Sequence, residues 1–586
     1  MVALSQEHGL ALYLALGSLP SAWARARLAD RASGSTEFRQ ALAEYASQGN
    51  KAHLPFYQGL FAEIEAEGGS AEAALVGIDE ALTLAAQTGE HWFDAGLHRF
   101  RGEILIKQNP ADPAPAEAAL LAAIAVAQQQ KARSFELRAA LSLAKLYQST
   151  GRAVDAHDVL APALEGFAPT PEFPQIADAK ALFEAVAATD EVKAAVASRR
   201  RRVDLQVSYG QALLQGRGLS APETKAAFER ARELSSGPAV ASIPEITLGL
   251  LAAAEGRGDY EAMLAFADEM QRAVAGSPES ALAGLVHRVR GQTKRFTGDF
   301  VGARACLEQA VAMLDPTRDS ELALRFKEDP GVYAMGYLAT VLWPLGEVDR
   351  ARLVSEELTL RIAHLSNIAS INDGNLHRMG LEMIRRDFVR AEPHVQAVLA
   401  IARDGEVDKW PGPFVFLDGW REWQVGDREA GVKRMRQAIS MFAEQNFVIL
   451  DGLFKAVLAE AEAQGGEIEA ALSTIDSALA VSNRTGQRSD DAETHRVRGE
   501  ILLRQNPAAP APAEAAFLAA IAVAQQQQAR SFELRAALSL AKLYQSTGRP
   551  IDAYDILGPA LAGFSPTPEF PQIAEAKALL ESLANL

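Results

Sequence analysis

Apolar residues recur along the chain with the spacing of α-helices, and many segments carry two apolar stripes instead of one. Residues 137–147 illustrate the pattern. One stripe there consists of Leu137, Ala140, Leu141 and Ala144, and the next consists of Leu143, Leu146 and Tyr147. Val, Ile, Thr and Tyr runs that alternate with polar residues, which are typical of strands, are missing from the sequence. Because a helix with two apolar stripes needs a packing partner on each side, the pattern predicts an all-α array.

Turn-like residues divide this helical pattern at intervals of about 40 residues. They occur at Gly258-Asp259, Gly298-Asp299, Gly346-Glu347, Asp387, Gly426-Asp427, Gly466-Glu467 and Gly548-Arg549. Glycine supplies the left-handed conformation that ends a helix, and a following acidic residue suits the positive N-terminal end of the next helix. The turns therefore predict a series of paired helices.

Proline marks further connections between helices. Residues 109–115 and 506–512 each contain several prolines and are predicted to be loops. Thr170-Pro171-Glu172 and Thr567-Pro568-Glu569 are predicted to start helices, with threonine as the N-cap and proline at the first helical position.

A large part of the chain is present twice. Residues 98–180 recur as 495–577 with about 15 differences and no insertion, at a register shift of 495 − 98 = 397. The same shift extends upstream, so that Trp23 corresponds to Trp420. The duplication predicts two domains: a partial array over residues 1–190, which copies the C-terminal half, and a complete array over residues 191–586.

Small residues recur within the repeats at the spacing of the tetratricopeptide signature. The best matched unit has Leu143, Ala144, Tyr147, Ala156, Leu160 and Ala163, and its copy has Leu540, Ala541, Tyr544, Ala553, Leu557 and Ala560. Small residues at these positions let two antiparallel helices pack closely. The sequence therefore predicts an all-α fold, an α-solenoid of about 14 tetratricopeptide-like helix pairs in a right-handed superhelix.

Three further stretches resemble the C-terminal tetratricopeptide region of large bacterial signalling proteins. They are RRRRVDLQVSYGQALL, KEDPGVYAMGYLATVLWPLGEVDRA and ETHRVRGEILLRQNP. In such proteins a class III adenylate/guanylate cyclase domain or a DNA-binding domain precedes a P-loop ATPase and then the repeats. The resemblance implies a regulatory or partner-sensing role, with residues 195–586 covering one whole region and residues 1–190 repeating its C-terminal half.

Composition and charge narrow the possible partners and compartments. The net charge of −17 opposes sequence-independent binding to phosphate backbones, and the one basic run, residues 199–202, is interpreted as a solvated helix start. The single cysteine, Cys306, is expected to be buried and to lie in a reducing compartment. No apolar run reaches 18 residues, the length that a membrane span needs. We therefore expect a cytoplasmic protein that binds neither nucleic acid nor membrane.

Catalytic and metal-binding patterns have no strong candidate in the sequence. A GxxxxGK[ST] phosphate loop is absent, and no cysteine–base pair or matched carboxylates are visible. His91, Asp94 and His98 would lie on one helix face, but Arg488 replaces the first histidine in the copy, so they are interpreted as surface residues. The sequence therefore predicts a non-enzymatic protein without a metal or a cofactor.

The concave groove lined by the first helix of each pair is the predicted binding surface of such an array. Its candidate residues are Arg138, Lys145 and Gln148 in the first copy and Arg535, Lys542 and Gln545 in the second. Basic and amide groups at these outward positions would bind a protein or peptide partner, as in a signalling scaffold. The alternative hypothesis is a detached sensory module of a cyclase or transcription regulator that binds a small effector between repeats.

Overall fold

The structure is a computed structural model that describes residues 2–28, 30–49, 51–235, 244–274, 281–315, 319, 323, 328–403 and 411–584. Over these residues the chain forms 29 helices and no strand, which confirms the predicted all-α class. None of the described helices combines the length and the apolar character that crossing a bilayer requires.

The chain divides into two compact units, Met1–Val203 with Leu234–Ser242 and Asp204–Glu233 with Ile243–Leu586. The helices up to the division are α1 (Val2–Glu7), α2 (Ala11–Leu28), α3 (Arg31–Ser47), α4 (Leu54–Glu67), α5 (Ala71–Thr88), α6 (Asp94–Gln108), α7 (Ala114–Gln129), α8 (Arg133–Ser149), α9 (Ala153–Leu164), α10 (Gln175–Ala187) and α11 (Asp190–Arg217). The predicted domains, 1–190 and 191–586, stay a prediction.

The second unit continues the series of helices. Its helices are α12 (Pro222–Ser235), α13 (Pro244–Arg257), α14 (Tyr260–Val274), α15 (Ala281–Phe296), α16 (Phe300–Ala312), α17 (Pro330–Leu342), α18 (Val348–Ile362), α19 (Ile368–Arg385), α20 (Phe388–Arg403), α21 (Pro411–Val425), α22 (Arg428–Glu444), α23 (Asp451–Gln464), α24 (Ile468–Thr485), α25 (Asp491–Gln505), α26 (Ala511–Gln526), α27 (Arg530–Ser546), α28 (Pro550–Leu561) and α29 (Gln572–Ala584).

Consecutive helices pack as pairs, and the first helix of a pair also packs on the first helix of the next pair. In the first unit α4 contacts α5 and α6, and α8 contacts α9 and α10. The small positions of the best matched unit lie in these contacts, since Ala144, Ala156 and Leu160 are fully buried. This packing of each helix against two neighbours is the predicted α-solenoid.

The predicted turns lie between the helices of these pairs. Gly258, Gly298, Gly346 and Gly548 have φ values of 67°, 85°, 91° and 73°, in the left-handed region that glycine tolerates. At two of these turns an aspartate caps the next helix. The Asp259 carboxylate accepts a hydrogen bond from the Ala262 amide at 3.1 Å, and the Asp299 carboxylate accepts one from the Gly302 amide at 2.8 Å. The turn prediction is therefore confirmed at these positions.

The helix starts predicted at Thr170-Pro171-Glu172 and at Thr567-Pro568-Glu569 are wrong. The helices begin later, at Gln175 in α10 and at Gln572 in α29. Each threonine instead closes a local turn, in which its side-chain oxygen accepts a hydrogen bond from the amide two residues on. The aromatic residue that follows, Phe173 in the first copy, packs on the core before the helix starts.

Candidate partner-binding groove

The first helices α2, α4, α6, α8 and α10 line a groove of about 730 Å³ in the first unit. The helices present alternating apolar and charged side chains to it. The residues that line it are Pro20, Trp23, Arg27, Phe38, Phe56, Tyr57, Leu60, Glu63, Phe93, Gly96, Arg99, Phe100, Glu103, Phe135, Arg138, Leu141, Ser142, Lys145, Gln175 and Asp178.

Aromatic rings form a continuous row along this groove. Phe93 meets Phe56 edge-on at 4.7 Å between ring centroids, Phe135 at 5.6 Å and Phe100 at 5.9 Å. Contact between ring edges and faces stabilises such a row beyond the burial of its area. The row provides a rigid apolar wall because each ring is held by its neighbours.

Two of the carboxylates that line the groove are paired within it. Glu63 lies 2.6 Å from Arg27. Glu103 lies 2.6 Å from Arg99 and accepts a hydrogen bond from the Ser142 hydroxyl at 2.5 Å. These contacts engage both carboxylates inside the groove.

Of the three candidate residues predicted in the first copy, Arg138 and Lys145 line the groove. The Arg138 guanidinium lies 5.1 Å from the centroid of Phe173, and its buried Nε has no hydrogen-bond partner within the described residues. Burial, with the nearby charge of Arg99, lowers the pKa of Arg138. Gln148 is exposed at the end of α8 and is not among the lining residues.

Lys145 is exposed, and no ion pair involving it is present in the described part of the chain. Its counterpart Lys542 is also exposed but lies 2.7 Å from the Glu575 carboxylate. The equivalent of Glu575 in the first copy is Asp178, whose side chain is one methylene shorter. The first copy therefore offers a cation for a ligand where the second copy has an ion pair. Gln545 is exposed like Gln148.

Arg535 does not face solvent, so its prediction as an outward groove residue is wrong. Only 5% of the residue is exposed, and its guanidinium donates hydrogen bonds to the carbonyl oxygens of Ile384 at 2.7 Å and Arg385 at 2.6 Å. Burial lowers the pKa of Arg535 to about 10. Another part of the second unit fills the position that was predicted to be open.

The filling segments are the C-terminal ends of successive first helices. The carbonyl of Gly256, at the end of α13, accepts from the Val448 amide at 3.3 Å, and that of Phe296, at the end of α15, accepts from the Arg488 amide at 2.7 Å. Pro344, just after α17, accepts from the Ser531 amide at 2.9 Å. The last carbonyls of a helix lack intrahelical partners, so these contacts satisfy them. Helical periodicity does not reveal such pairings, since they join residues far apart in sequence.

A second feature missed by sequence reasoning is a buried polar cluster in the second unit. The Tyr333 hydroxyl donates to Asp373 at 2.7 Å and the Tyr337 hydroxyl donates to Glu255 at 3.0 Å. Burial raises the pKa of Asp373 to about 7 and lowers the pKa of His377 to about 3. Hydrogen bonds between the members of the cluster identify it as packing of polar groups between first helices.

The residues considered as metal ligands or nucleophile have ordinary surroundings. His91 Nδ1 lies 2.8 Å from Asp94 Oδ2 on the helix surface. In the described residues no group of three His, Cys, Asp or Glu side chains is placed to hold a metal ion. Cys306 is half-buried, less than expected, and burial raises the pKa of its thiol.

Comparison with known proteins gives a distant relative and no family. No family model matches the chain. An uncharacterised protein of Rhizobium meliloti (strain 1021) is 26% identical over 248 residues, which are 42% of this chain and 24% of that protein. The match thus spans about a quarter of the relative's length.

Solved structures resemble the chain at low similarity. Yeast Tom70 is 13% identical, with 92% of this chain and 96% of that chain covered and a TM-score of 0.30. The Cut9 and Hcn1 hetero-tetramer of APC/C is 12% identical, with 94% and 92% covered and a TM-score of 0.38. The human IFIT1 dimer with m7Gppp-AAAA is 15% identical, with 80% and 89% covered and a TM-score of 0.26. At these TM-scores no partner or activity transfers to this chain.

Proposed function

We propose that this protein is a non-enzymatic scaffold that binds a segment of a protein partner in the groove of its first unit. The observation that supports this most is the groove itself, where an aromatic row and the cations Arg138 and Lys145 face the same space of about 730 Å³. The proposal places the scaffold in bacterial signalling in the cytoplasm, in keeping with the resemblance of its repeats and its single cysteine.

The two chemical elements of the groove suit different parts of a bound chain. The aromatic row around Phe93 would bury apolar side chains of the partner. Lys145 and Arg138 would bind carboxylates or backbone carbonyls, because charged donors make the stronger hydrogen bonds. Pairing of Glu63 with Arg27 and of Glu103 with Arg99 leaves these two cations as the donors for a ligand.

A small effector is the second candidate occupant of the same groove. Its volume falls within the range of about 300–1,000 Å³ that is typical of small-molecule sites, and its aromatic lining suits a planar ligand. The protein partner is preferred because the equivalent face of the second unit is filled by protein segments. A thermal shift caused by the low-molecular-weight fraction of a cell extract, and not by its protein fraction, would favour the effector.

Affinity purification with matched variants tests the proposal. The full chain, Lys145→Ala and Lys107→Ala are used as baits; Lys107 is also exposed but does not line the groove. A charge-assisted contact contributes about 1.5–3 kcal/mol, so Lys145→Ala should weaken partner binding at least about tenfold while Lys107→Ala binds normally. A partner that binds all three baits equally would show that the recognition surface lies elsewhere.

A further inference from the structure

Six side chains are present at equivalent positions in both copies, and two of them in the first copy, Phe135 and Arg138, line the groove. Here we call Ser134, Phe135, Arg138, Thr170, Glu172 and Phe173 the N-terminal cradle. The C-terminal cradle consists of their counterparts Ser531, Phe532, Arg535, Thr567, Glu569 and Phe570. The helices that carry the first three residues, α8 and α27, have identical sequences. The two cradles therefore offer the same chemistry to whatever lies in them.

The C-terminal cradle holds the turn that joins α17 to α18. Trp343, only 1% exposed, inserts there. Its ring lies 5.7 Å from Phe532 and 5.1 Å from Phe570, and the Arg535 guanidinium lies 4.5 Å above it. A tryptophan enclosed by two rings and a guanidinium gains both apolar burial and a cation–π contact.

Polar contacts hold the same turn. The Ser531 hydroxyl donates to the Trp343 carbonyl at 2.6 Å, which satisfies an oxygen at the end of α17. The Thr567 hydroxyl donates to Asp349 at 2.7 Å. Glu569 pairs with Arg390 at 2.7 Å and with Arg385 at 2.8 Å, and it also lies 3.5 Å from Arg352. The segment is thus recognised by an inserted aromatic ring, a free helix-end carbonyl and a cation nine residues after the ring.

The N-terminal cradle has the same internal geometry, and within the described residues it holds no such occupant. Phe167 and Phe173 are 5.8 Å apart, as are Phe564 and Phe570 in the second copy. The Arg138 guanidinium lies 5.1 Å from Phe173, compared with 5.7 Å for the equivalent pair in the C-terminal cradle. Binding would therefore require little rearrangement, which favours affinity.

Exposure distinguishes the two cradles. Ser531, Glu569 and Phe570 are 0%, 5% and 1% exposed, whereas their counterparts Ser134 and Glu172 are exposed and Phe173 is half-buried. Because the side chains are the same, the difference in burial is due to the segments that cover the C-terminal cradle. In the N-terminal cradle the Thr170 hydroxyl turns to Glu172 instead of to a ligand.

We propose that the N-terminal cradle binds a helix–turn–helix segment of another α-helical protein. That segment would present an aromatic side chain at the C-terminal end of a helix and an arginine about nine residues later, as residues 343–352 do in the second unit. This inference rests on the proposed function and names the class of partner. A second copy of this chain does not fit as well: each chain has two cradles and one such segment, so exchange between copies leaves one cradle per chain empty.

A peptide with the sequence of residues 330–362, which carries both helices and the turn between them, is the probe. It is cross-linked between its two helices so that it is folded before binding. Fluorescence anisotropy with the full chain should show one binding site. Trp343→Ala in the peptide and Arg138→Ala in the chain should each weaken binding at least tenfold. Lys107→Ala, outside both the cradle and the groove, should leave it unchanged.

A charge exchange keeps the test independent of folding. Glu172 is exposed, so the Glu172→Arg variant should fold normally. It should bind the peptide several-fold more weakly, and an Arg352→Glu change in the peptide should restore the affinity for that variant. Failure of the cross-linked peptide to bind saturably, or binding whose affinity is unchanged by Arg138→Ala and Glu172→Arg, overturns the inference. So does self-association of the chain that Arg138→Ala abolishes. If the peptide fails while the Lys145-dependent partner still binds, the proposed function stands and only this partner class is lost.

Discussion

Arg535 and Arg138 occupy the same position of two helices with identical sequences, and we expect their truncation to have very different effects on stability. Arg535 donates two hydrogen bonds to the last carbonyls of α19 and stacks on Trp343. Arg138 stacks on Phe173 and is half-buried. The pair therefore separates the effect of the occupied surroundings from the effect of the arginine itself.

The magnitude for Arg535→Ala follows from these contacts. Each buried carbonyl left without a donor costs about 1–3 kcal/mol, and the lost cation–π contact adds about 1–2 kcal/mol. Desolvation of the buried guanidinium lowers the pKa of Arg535 to about 10. Removing the guanidinium removes this desolvation cost, which offsets part of the loss. We expect a net destabilisation of about 3 kcal/mol for Arg535→Ala and about 0.5–1 kcal/mol for Arg138→Ala.

Hydrogen exchange measured by mass spectrometry is the appropriate assay, since a chain of two compact units has no single free energy of unfolding. Arg535→Ala should reduce the protection of α27 and of the end of α19 about a hundredfold, because 1.4 kcal/mol corresponds to a factor of ten. Arg138→Ala should change the protection of α8 less than about tenfold. Equal changes in α8 and α27 would refute the assignment of Arg535 as a cap for α19.

Three other outcomes are expected. Burial raises the pKa of the Asp373 carboxyl to about 7, above its value of about 3.9 in the unfolded chain. The folded state therefore binds this proton more tightly than the unfolded state does. Stability of the folded state should fall as the pH rises from about 4 to 7 and the proton is lost. Asp373→Asn should therefore raise the melting temperature more at pH 8 than at pH 5; an equal shift at both pH values would contradict the assignment. Residues 195–586 should fold alone as a monomer in sedimentation, whereas residues 1–190, which contain fewer repeats and so fewer stabilising interfaces, should be less stable or self-associate. Micromolar ATP should neither be hydrolysed nor shift the melting temperature, because the sequence lacks a phosphate loop. ATP hydrolysis that persists in the purified chain after contaminants are removed would contradict this expectation.

The sequence alone determined the helical class, the turns and the pairing of helices. These features are local: a left-handed glycine such as Gly298 and a cap such as Asp299 act within one turn of their own helices. The buried small positions around Ala144 were predictable for the same reason, since each contacts the neighbouring helix of its own pair. The sequence also placed Arg138 and Lys145 on the outward face of a first helix, and both line the groove. Their role in binding a partner stays a prediction.

Only the tertiary structure decided that identical segments have different surroundings. Ser531 binds the Trp343 carbonyl across 188 residues, and Arg535 binds the Ile384 carbonyl across 151. Helical periodicity specifies which face of a helix is apolar, but not which distant segment reaches that face. That choice depends on the path that successive pairs follow within the second unit. For this reason one copy of the same sequence is an open groove, while the other is part of a core.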